Sequence, residues 1–292
     1  MSFRKNFDIP LADGRVLALG TRPLVMGILN VTPDSFAEVS PAFDSATAID
    51  RAIRMEEEGA DILDVGGEST RPGTGPVTAS EELSRVLPIV KALVRRVRVP
   101  ISVDTYRADV ARAVIAEGAT IINDISGLRY EPQLAEVAAG SQVALVLMHM
   151  RGRPKAMYEE AVYHDLMAEV ATELRASMAV AAAAGVASGQ VIVDPGVGFA
   201  KQPNHSYGVL ARLSTLASAL DRPVLVGPSR KSFMREALAG RPAPGRDWGT
   251  AAAVTAAVLA GVHIVRVHAV GEMVQVVRVA EEIRRHSERA ES

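Results

Sequence analysis

Eight short apolar runs along this chain each end in a residue that can accept a proton, donate a hydrogen bond or carry charge. The ends are Asn30, the stretch from Asp64 to Arg71, Asp104, Asn123 with Asp124, His149, Asp194, the stretch from Ser229 to Ser232, and Arg266 with His268. Asp104, Asn123 and Asp194 supply two carboxylates and an amide, which together can accept from and donate to a planar, amino-bearing heterocycle. A buried carboxylate facing a guanidine-like N–C–N edge makes a bidentate, charge-assisted pair. Arg71, Arg230, Lys231, Arg266 and His268 point instead to an anionic ligand. Asn30 brings an amide oxygen, which suffices for Mg²⁺ when substrate phosphate and water complete the shell. Plainer readings stand beside these: Asp194 as a turn cap before Pro195, Asp104 as the cap of the next helix, and Asn30 as the holder of its own loop. Of 6 His, only His149 and His268 end such runs, and no HExxH pattern occurs, so a zinc hydrolase is unsupported.

For these groups to meet, the runs must be neighbouring strands. They span 24–29, 61–65, 99–103, 119–122, 142–148, 190–193, 223–226 and 262–267. Segments of helical period follow near 45–58, 79–96, 107–117, 131–139, 164–184, 205–220, 231–239 with 248–260, and 271–287. Near-continuous Val, Ile and Leu runs are what a parallel sheet covered by helices requires. Eight βα units predict a single-domain (β/α)8 TIM barrel, in which residues at the C-terminal strand ends share one mouth. Loops after the seventh and eighth strands often hold phosphate in such barrels, aided by a helix N-terminus, and Ser229 to Ser232 is expected to open a helix there. A doubly wound open sheet is the competing architecture, but it needs an early glycine-rich dinucleotide turn that the chain lacks. Residues 1–20 stand apart as a short N-terminal β-hairpin turning at Asp13-Gly14, expected to plug the barrel bottom, with the barrel domain over 21–292.

Composition narrows the classes further. Across 292 residues, 32 Lys and Arg face 34 Asp and Glu, giving a formal charge of −2. Nucleic-acid binders carry a clustered basic excess, and only 4% of residues are aromatic, so neither duplex binding nor base stacking is supported. No run approaches the roughly 18 apolar residues of a membrane span, and the first residues, Met-Ser-Phe-Arg-Lys-Asn-Phe-Asp, lack the apolar region of a secretory signal. With 0 Cys, disulfides, thiolate nucleophiles and cysteine-ligated metals are excluded. A cytoplasmic protein acting on small molecules is expected.

The motifs that carry these residues resemble those of the dihydropteroate synthases. GILNVTPDSF at 27–36, DVGGESTRPG at 64–73, SVDT at 102–105, INDISG at 122–127, LMHM at 147–150, DPGVGF at 194–199, SRKSF at 229–233 and RVH at 266–268 occur in the family's order. The resemblance implies condensation of 6-hydroxymethyl-7,8-dihydropterin pyrophosphate with p-aminobenzoate to 7,8-dihydropteroate and pyrophosphate, in folate synthesis, with Mg²⁺ and as a homodimer. By resemblance, Asp104, Asn123, Met148, Asp194, Phe199 and Lys231 would hold the pterin. Phe36, Thr70, Arg71, Pro72, Lys231 and Ser232 would meet p-aminobenzoate, and Asn30, Arg266 and His268 the pyrophosphate, with Asn30 on the metal. Asp104, Asp194, Lys231, Arg266 and His268 would carry the catalysis. The chain departs from the family at Ala37-Glu38-Val39-Ser40, where a Ser-Asp-Gly-Gly stretch is usual, and at Ala269, where Asp is common. A pterin-fold methyltransferase acting on methyltetrahydrofolate and a non-catalytic pterin-binding paralogue are the alternatives.

Overall fold

The computed structural model of the protein describes residues 4–32, 45–69, 75–153 and 158–290. Phe36, Thr70, Arg71, Pro72 and the atypical stretch 37–40 lie outside the described residues. Strands β1 (Phe7–Pro10) and β2 (Val16–Leu19) pair antiparallel. The turn between them is closed by Asp13 Oδ1, which accepts from the Arg15 amide at 3.0 Å, while Gly14 takes φ +84°. An L side chain rarely adopts that conformation, which is why Asp-Gly marks the turn.

Eight parallel strands follow: β3 (Leu24–Asn30), β4 (Ile62–Gly66), β5 (Ile101–Asp104), β6 (Ile121–Asp124), β7 (Ala144–Met148), β8 (Val191–Asp194), β9 (Leu225–Val226) and β10 (Ile264–Val267). Each of β3 to β7 pairs with the next, and β10 pairs with both β3 and β9. A parallel bridge between Val193 and Val224, with the Val193 amide donating to Pro223 O at 3.0 Å, brings β8 against β9 and rounds the sheet into a barrel. The expected (β/α)8 barrel is therefore the observed fold.

Around it run α1 (Ser45–Glu57), α2 (Ala79–Leu93), α3 (Ala108–Ala116), α4 (Leu134–Ser141), α5 (Leu166–Ala183), α6 (Pro203–Leu210), α7 (Leu213–Leu220), α8 (Asp247–Leu259) and α9 (Val270–Ala290). Local chemistry sets several boundaries. Thr78 caps α2 by accepting from the Glu81 amide, and Asp165 caps α5 by accepting from the Ala168 amide, each at 3.2 Å. In α9, Val270, Met273, Val274, Val277 and Ala280 are buried at helical spacing against the barrel.

Two helical segments differ from the sequence expectation. The stretch 205–220 is two helices, because Arg212 leaves helical geometry at φ −127°, ψ 25°. Residues 231–239 contain only the 3-10 turn Ser232–Met234, followed by turns. Arg230 at φ 58° and Gly240 at φ +81° bracket a stretch too short to repay helix nucleation.

The hairpin occupies the N-terminal end of the barrel, as its apolar pattern predicts. Ile9, Leu11, Leu17 and Leu19 pack in one cluster with the inward side chains Met26, Ile62, Ile121, Ala144, Val146, Ile192, Leu225 and Ile264. Polar ties anchor the segment. Buried Arg4 pairs with Glu281 of α9 at 2.7 Å, and His263 Nε2 donates to Lys5 O at 3.0 Å while its Nδ1 accepts from the Val224 amide. Burial pushes the His263 imidazole down to about 4, so it stays neutral and can play both parts. No helix among the described residues is long and apolar enough to cross a membrane.

Candidate active site

Side chains of a barrel strand face inward at every second residue. Ile62, Ile121, Ile192 and Ile264 face the hairpin; two residues further along the same strands stand Asp64, Asn123, Asp194 and Arg266. In the same parity β5 carries Ser102 then Asp104, β7 carries Val146 then Met148, and β3 carries Ile28 then Asn30. The polar mouth is thus the barrel's next interior layer.

Arg266 organises that layer. Its Nε donates to Asp64 Oδ2 at 2.6 Å and its Nη2 to Asp104 Oδ2 at 2.8 Å, while Asn123 Nδ2 donates to Asp64 Oδ2 at 3.1 Å. Burial pushes the Asp104 carboxyl up to about 7, against the pull of Arg266 and with further upward pressure from the Asp64 charge. Asp64 Oδ1 is buried without a hydrogen-bond partner among the described residues. By sequence Arg266 belongs with the anion-binding rim; in the fold it also ties Asp104 and, through Asp64, Asn123 into one cluster.

Asp194 lies across the barrel. Its Oδ1 accepts from the Gly196 amide at 2.7 Å, so the cap reading holds for one oxygen. Burial raises its pKa, opposed by Lys231, the Gly196 amide, Lys201 and Arg266. Lys231 Nζ donates to Val197 O at 2.6 Å and sits 4.2 Å from the centre of the Phe199 ring. Burial brings Lys231 down to about 8 although Asp194 favours its charged form. The glycines of DPGVGF make this approach possible. A Cβ on Gly196, at φ +68°, would stand 2.0 Å from His149 O, and one on Gly198, at φ +79°, 2.8 Å from Lys231 Cδ.

Met148 and Phe199 form an apolar wall with Tyr106, Ile125, Met150 and Ala200, and Tyr130 and Tyr158 pack against it. His268 Nδ1 lies 2.9 Å from Ser229 Oγ, which also accepts from the His268 amide at 3.2 Å. Ser232 is exposed, and its Oγ meets the Tyr158 hydroxyl at 3.0 Å. Arg230 departs from the rim cation that the sequence suggests: its Nε and Nη2 donate to Asp247 at 2.7 and 2.8 Å, and its amide donates to Thr250 Oγ1. A nearer carboxylate on α8 claims its charge. Asp124 is likewise structural, because its oxygens accept from the amides of Ser126 and Leu128 and from Ser126 Oγ.

Asp64 stands among the strand-end groups of the sequence without a ligand role of its own, and Tyr158 and Lys201 are not singled out there. Asp64 had a legible signal, a lone carboxylate at the inward parity of ILDVG; Tyr158 and Lys201 had none, since loop packing alone brings them in. Among the described residues no group of three or more His, Cys, Asp and Glu could hold a metal ion. A Cβ on Gly66 would lie 3.5 Å from Asp104 Cβ and 3.7 Å from Asn30 Oδ1, so the absent side chain leaves Asn30 and Asp104 adjoining one space.

A (β/α)8 barrel whose mouth sets buried carboxylates and an amide beside cations and an aromatic wall is built to bind a flat, amino-bearing heterocycle with an anionic substituent. Known proteins agree with that class. Residues 26–268 match the family model "Pterin binding enzyme". The chain is 45% identical to the dihydropteroate synthase of Escherichia coli K12 over 270 residues, covering 92% of this chain and 94% of that one. It is 44% identical to the dihydropteroate synthase of Synechocystis sp. over 276 residues, covering 94% and 95% of the two. Among solved structures it superposes on Yersinia pestis dihydropteroate synthase in a sulfonamide drug complex with TM-score 0.89 and 41% identity, over 95% of this chain and 99% of that one. For the Burkholderia cenocepacia dihydropteroate synthase complexed with 7,8-dihydropteroate the TM-score is 0.86 and the identity 39%, over 97% and 98%. The chain belongs to the pterin-binding enzyme family, among the dihydropteroate synthases.

Proposed function

We propose that this chain condenses 6-hydroxymethyl-7,8-dihydropterin pyrophosphate with p-aminobenzoate, releasing pyrophosphate and 7,8-dihydropteroate. The observation that carries the reading is the polar interior layer, with Arg266 between Asp64 and Asp104 and with Asp194 and Lys231 beside Phe199. Asp104, Asn123 and Asp194 take the donor edge of the pterin, with Met148, Phe199 and Lys231 enclosing the ring. Arg266, His268 and Asn30 meet the pyrophosphate. The p-aminobenzoate end falls to Lys231 and Ser232 and, by the family resemblance, to Phe36, Thr70, Arg71 and Pro72. Residues 1–20 serve as an extension of the barrel domain, 21–292.

The chemistry follows from which step is hard. An arylamine is uncharged at neutral pH, so its attack needs no strong base. Departure of pyrophosphate from the pterin methylene carbon is the demanding event, and a dissociative, carbocation-like path suits this site. A buried Asp194 carboxylate hydrogen-bonded to the pterin stabilises positive charge developing on the ring, and Arg266 and His268 stabilise the departing anion. Asn30 is an oxygen donor beside which, among the described residues, no group of three or more His, Cys, Asp and Glu stands, and it suits a Mg²⁺ that arrives on the substrate's phosphates. Such an ion supplies charge neutralisation to the leaving group.

The test is pyrophosphate release measured with each substrate alone, with both, and with Mg²⁺ or a sulfonamide added or withheld. Release only when both substrates are present is expected. Binding of pterin pyrophosphate without release would favour a non-catalytic paralogue, and methyl transfer from methyltetrahydrofolate would favour the methyltransferase. We also read the protein as a cytoplasmic homodimer; exposed Trp248 at the start of α8 and Tyr207 on α6 offer apolar surface for a partner copy.

A further inference from the structure

Behind the pterin layer lies a lysine that the chemistry above does not use. Lys201 is 1% exposed, and its Nζ lies 3.2 Å from Phe199 O and 2.8 Å from His149 Nδ1. An ammonium has no lone pair, so the imidazole must accept at Nδ1 and carry its proton on Nε2. Nε2 lies 3.2 Å from Glu173 Oε2 without meeting hydrogen-bond geometry, and Arg129 and Arg151 hold Glu173 from the outside. Tyr163 covers the lysine, with Nζ 5.9 Å from its ring centre, and donates its hydroxyl to Ala200 O at 2.8 Å.

The two partners of Lys201 belong to the segments that carry the pterin residues. His149 directly follows Met148 at the end of β7, and its amide donates to Asp194 O at 2.8 Å. Phe199 closes the turn that follows β8, and Gly196 in the same turn rests on His149 O. We propose that Lys201, braced by His149, is a positioning residue for the pterin floor: it ties the end of β7 to the turn after β8 and holds a positive charge behind the Asp194 carboxylate. This inference rests on the synthase reading given above.

The electrostatics support the geometry. Burial pushes His149 down to about 3, which keeps the imidazole neutral as the acceptor role demands. Burial also lowers Lys201 to about 7, with Asp194 and Glu173 favouring its charged form and Lys231 and Arg151 opposing it. His205 completes the titratable groups around the lysine, and Lys231 and Arg266 are the other cations facing Asp194. With Lys201 charged, Asp194 ionises more readily, so removing that charge must raise the pKa of Asp194. A purely structural tie would lower pterin affinity equally at every pH.

The experiment measures pterin pyrophosphate affinity and steady-state kinetics from acid to alkaline pH for wild type and Lys201→Met, with thermal unfolding as a fold control. The expected result is a loss of roughly tenfold or more in pterin affinity, the worth of a charge-assisted hydrogen bond, with little change in KM for p-aminobenzoate. The acid limb of the pterin affinity profile should move to higher pH. Should Lys201→Met fail to fold, His149 supplies the second arm. Asn places an acceptor where Nδ1 stands and Leu places none, so His149→Leu should lose roughly fivefold or more relative to His149→Asn. A folded Lys201→Met with wild-type affinity, an acid limb that stays in place, or equal behaviour of the two His149 variants overturns the proposal. A wild type that binds no pterin overturns the synthase reading instead.

Discussion

The two ends of the barrel are built from the same strands and solve opposite problems. At the N-terminal end the inward layer is apolar, and the hairpin covers it with Ile9, Leu11, Leu17 and Leu19. Two residues along, the inward layer contains Asp64, Asn123, Asp194 and Arg266. Burying charge costs several kcal/mol per ion even after relaxation, roughly as much as a protein's whole margin of stability. The hairpin end therefore contributes the stability, and the mouth spends part of it on groups held ready for a ligand. The difference teaches that the site is an interior layer of the barrel with its polarity reversed, supported by the apolar layer beneath it.

The strongest way to break this contrast is at Arg266. Arg266→Met leaves Asp64 and Asp104 facing each other without a cation, and a loss of about 3–5 kcal/mol is expected. The loss should be greater at pH 8 than at pH 5, because protonation of Asp104 relieves the repulsion; denaturant unfolding at the two pH values checks both size and sign. An equal loss at both would show that the charge trio is not what Arg266 serves.

Asp194→Asn separates function from stability at the mouth. Turnover should fall by roughly 10²–10³, as for removal of a group that stabilises transition-state charge, with a much smaller change in unfolding free energy. Unchanged turnover would remove the assigned role. The mirror experiment is Ile192→Ala, two residues earlier on the same strand. It should cost about 2–5 kcal/mol of stability and leave both KM values close to wild type when assayed well below the unfolding temperature. If Ile192→Ala disturbed turnover as much as Asp194→Asn, the two layers would not be separable.

The smallest effect sharpens the comparison through pH. Asp104 is held up at about 7 in the folded protein against an ordinary 3.8, so the folded state binds its proton more tightly. Its contribution to stability is fully present below the unfolded value and is lost as pH rises through about 7. Asp104→Asn should therefore flatten the decline in stability between these two values. The same decline in the variant would assign it to other groups.

Much of this was legible without coordinates. Eight apolar runs followed by helical segments point to a parallel sheet covered by helices, and eight units without an early dinucleotide turn favour the closed barrel over the open sheet. The polar residues at their ends specify the mouth. Less legible were residues whose roles depend on a neighbour distant in the chain. Arg230 reads as a rim cation until Asp247 is seen beside it, and the segment 231–239 reads as a helix until Arg230 and Gly240 are found at positive φ. Asp64 had a parity signal inside ILDVG, but its value depends on Arg266, 202 positions away.

What the amino-acid sequence determined by itself was periodicity, turn chemistry and the inventory of groups at the strand ends, since these depend on residues close along the chain. Only the tertiary structure decided how those groups are charged and paired. Closure of the barrel puts Arg266 between Asp64 and Asp104, Lys231 over Phe199, and Lys201 against His149. Protonation follows from burial and from the nearest opposite charge, and both are set by distances through space that strand order and closure alone define.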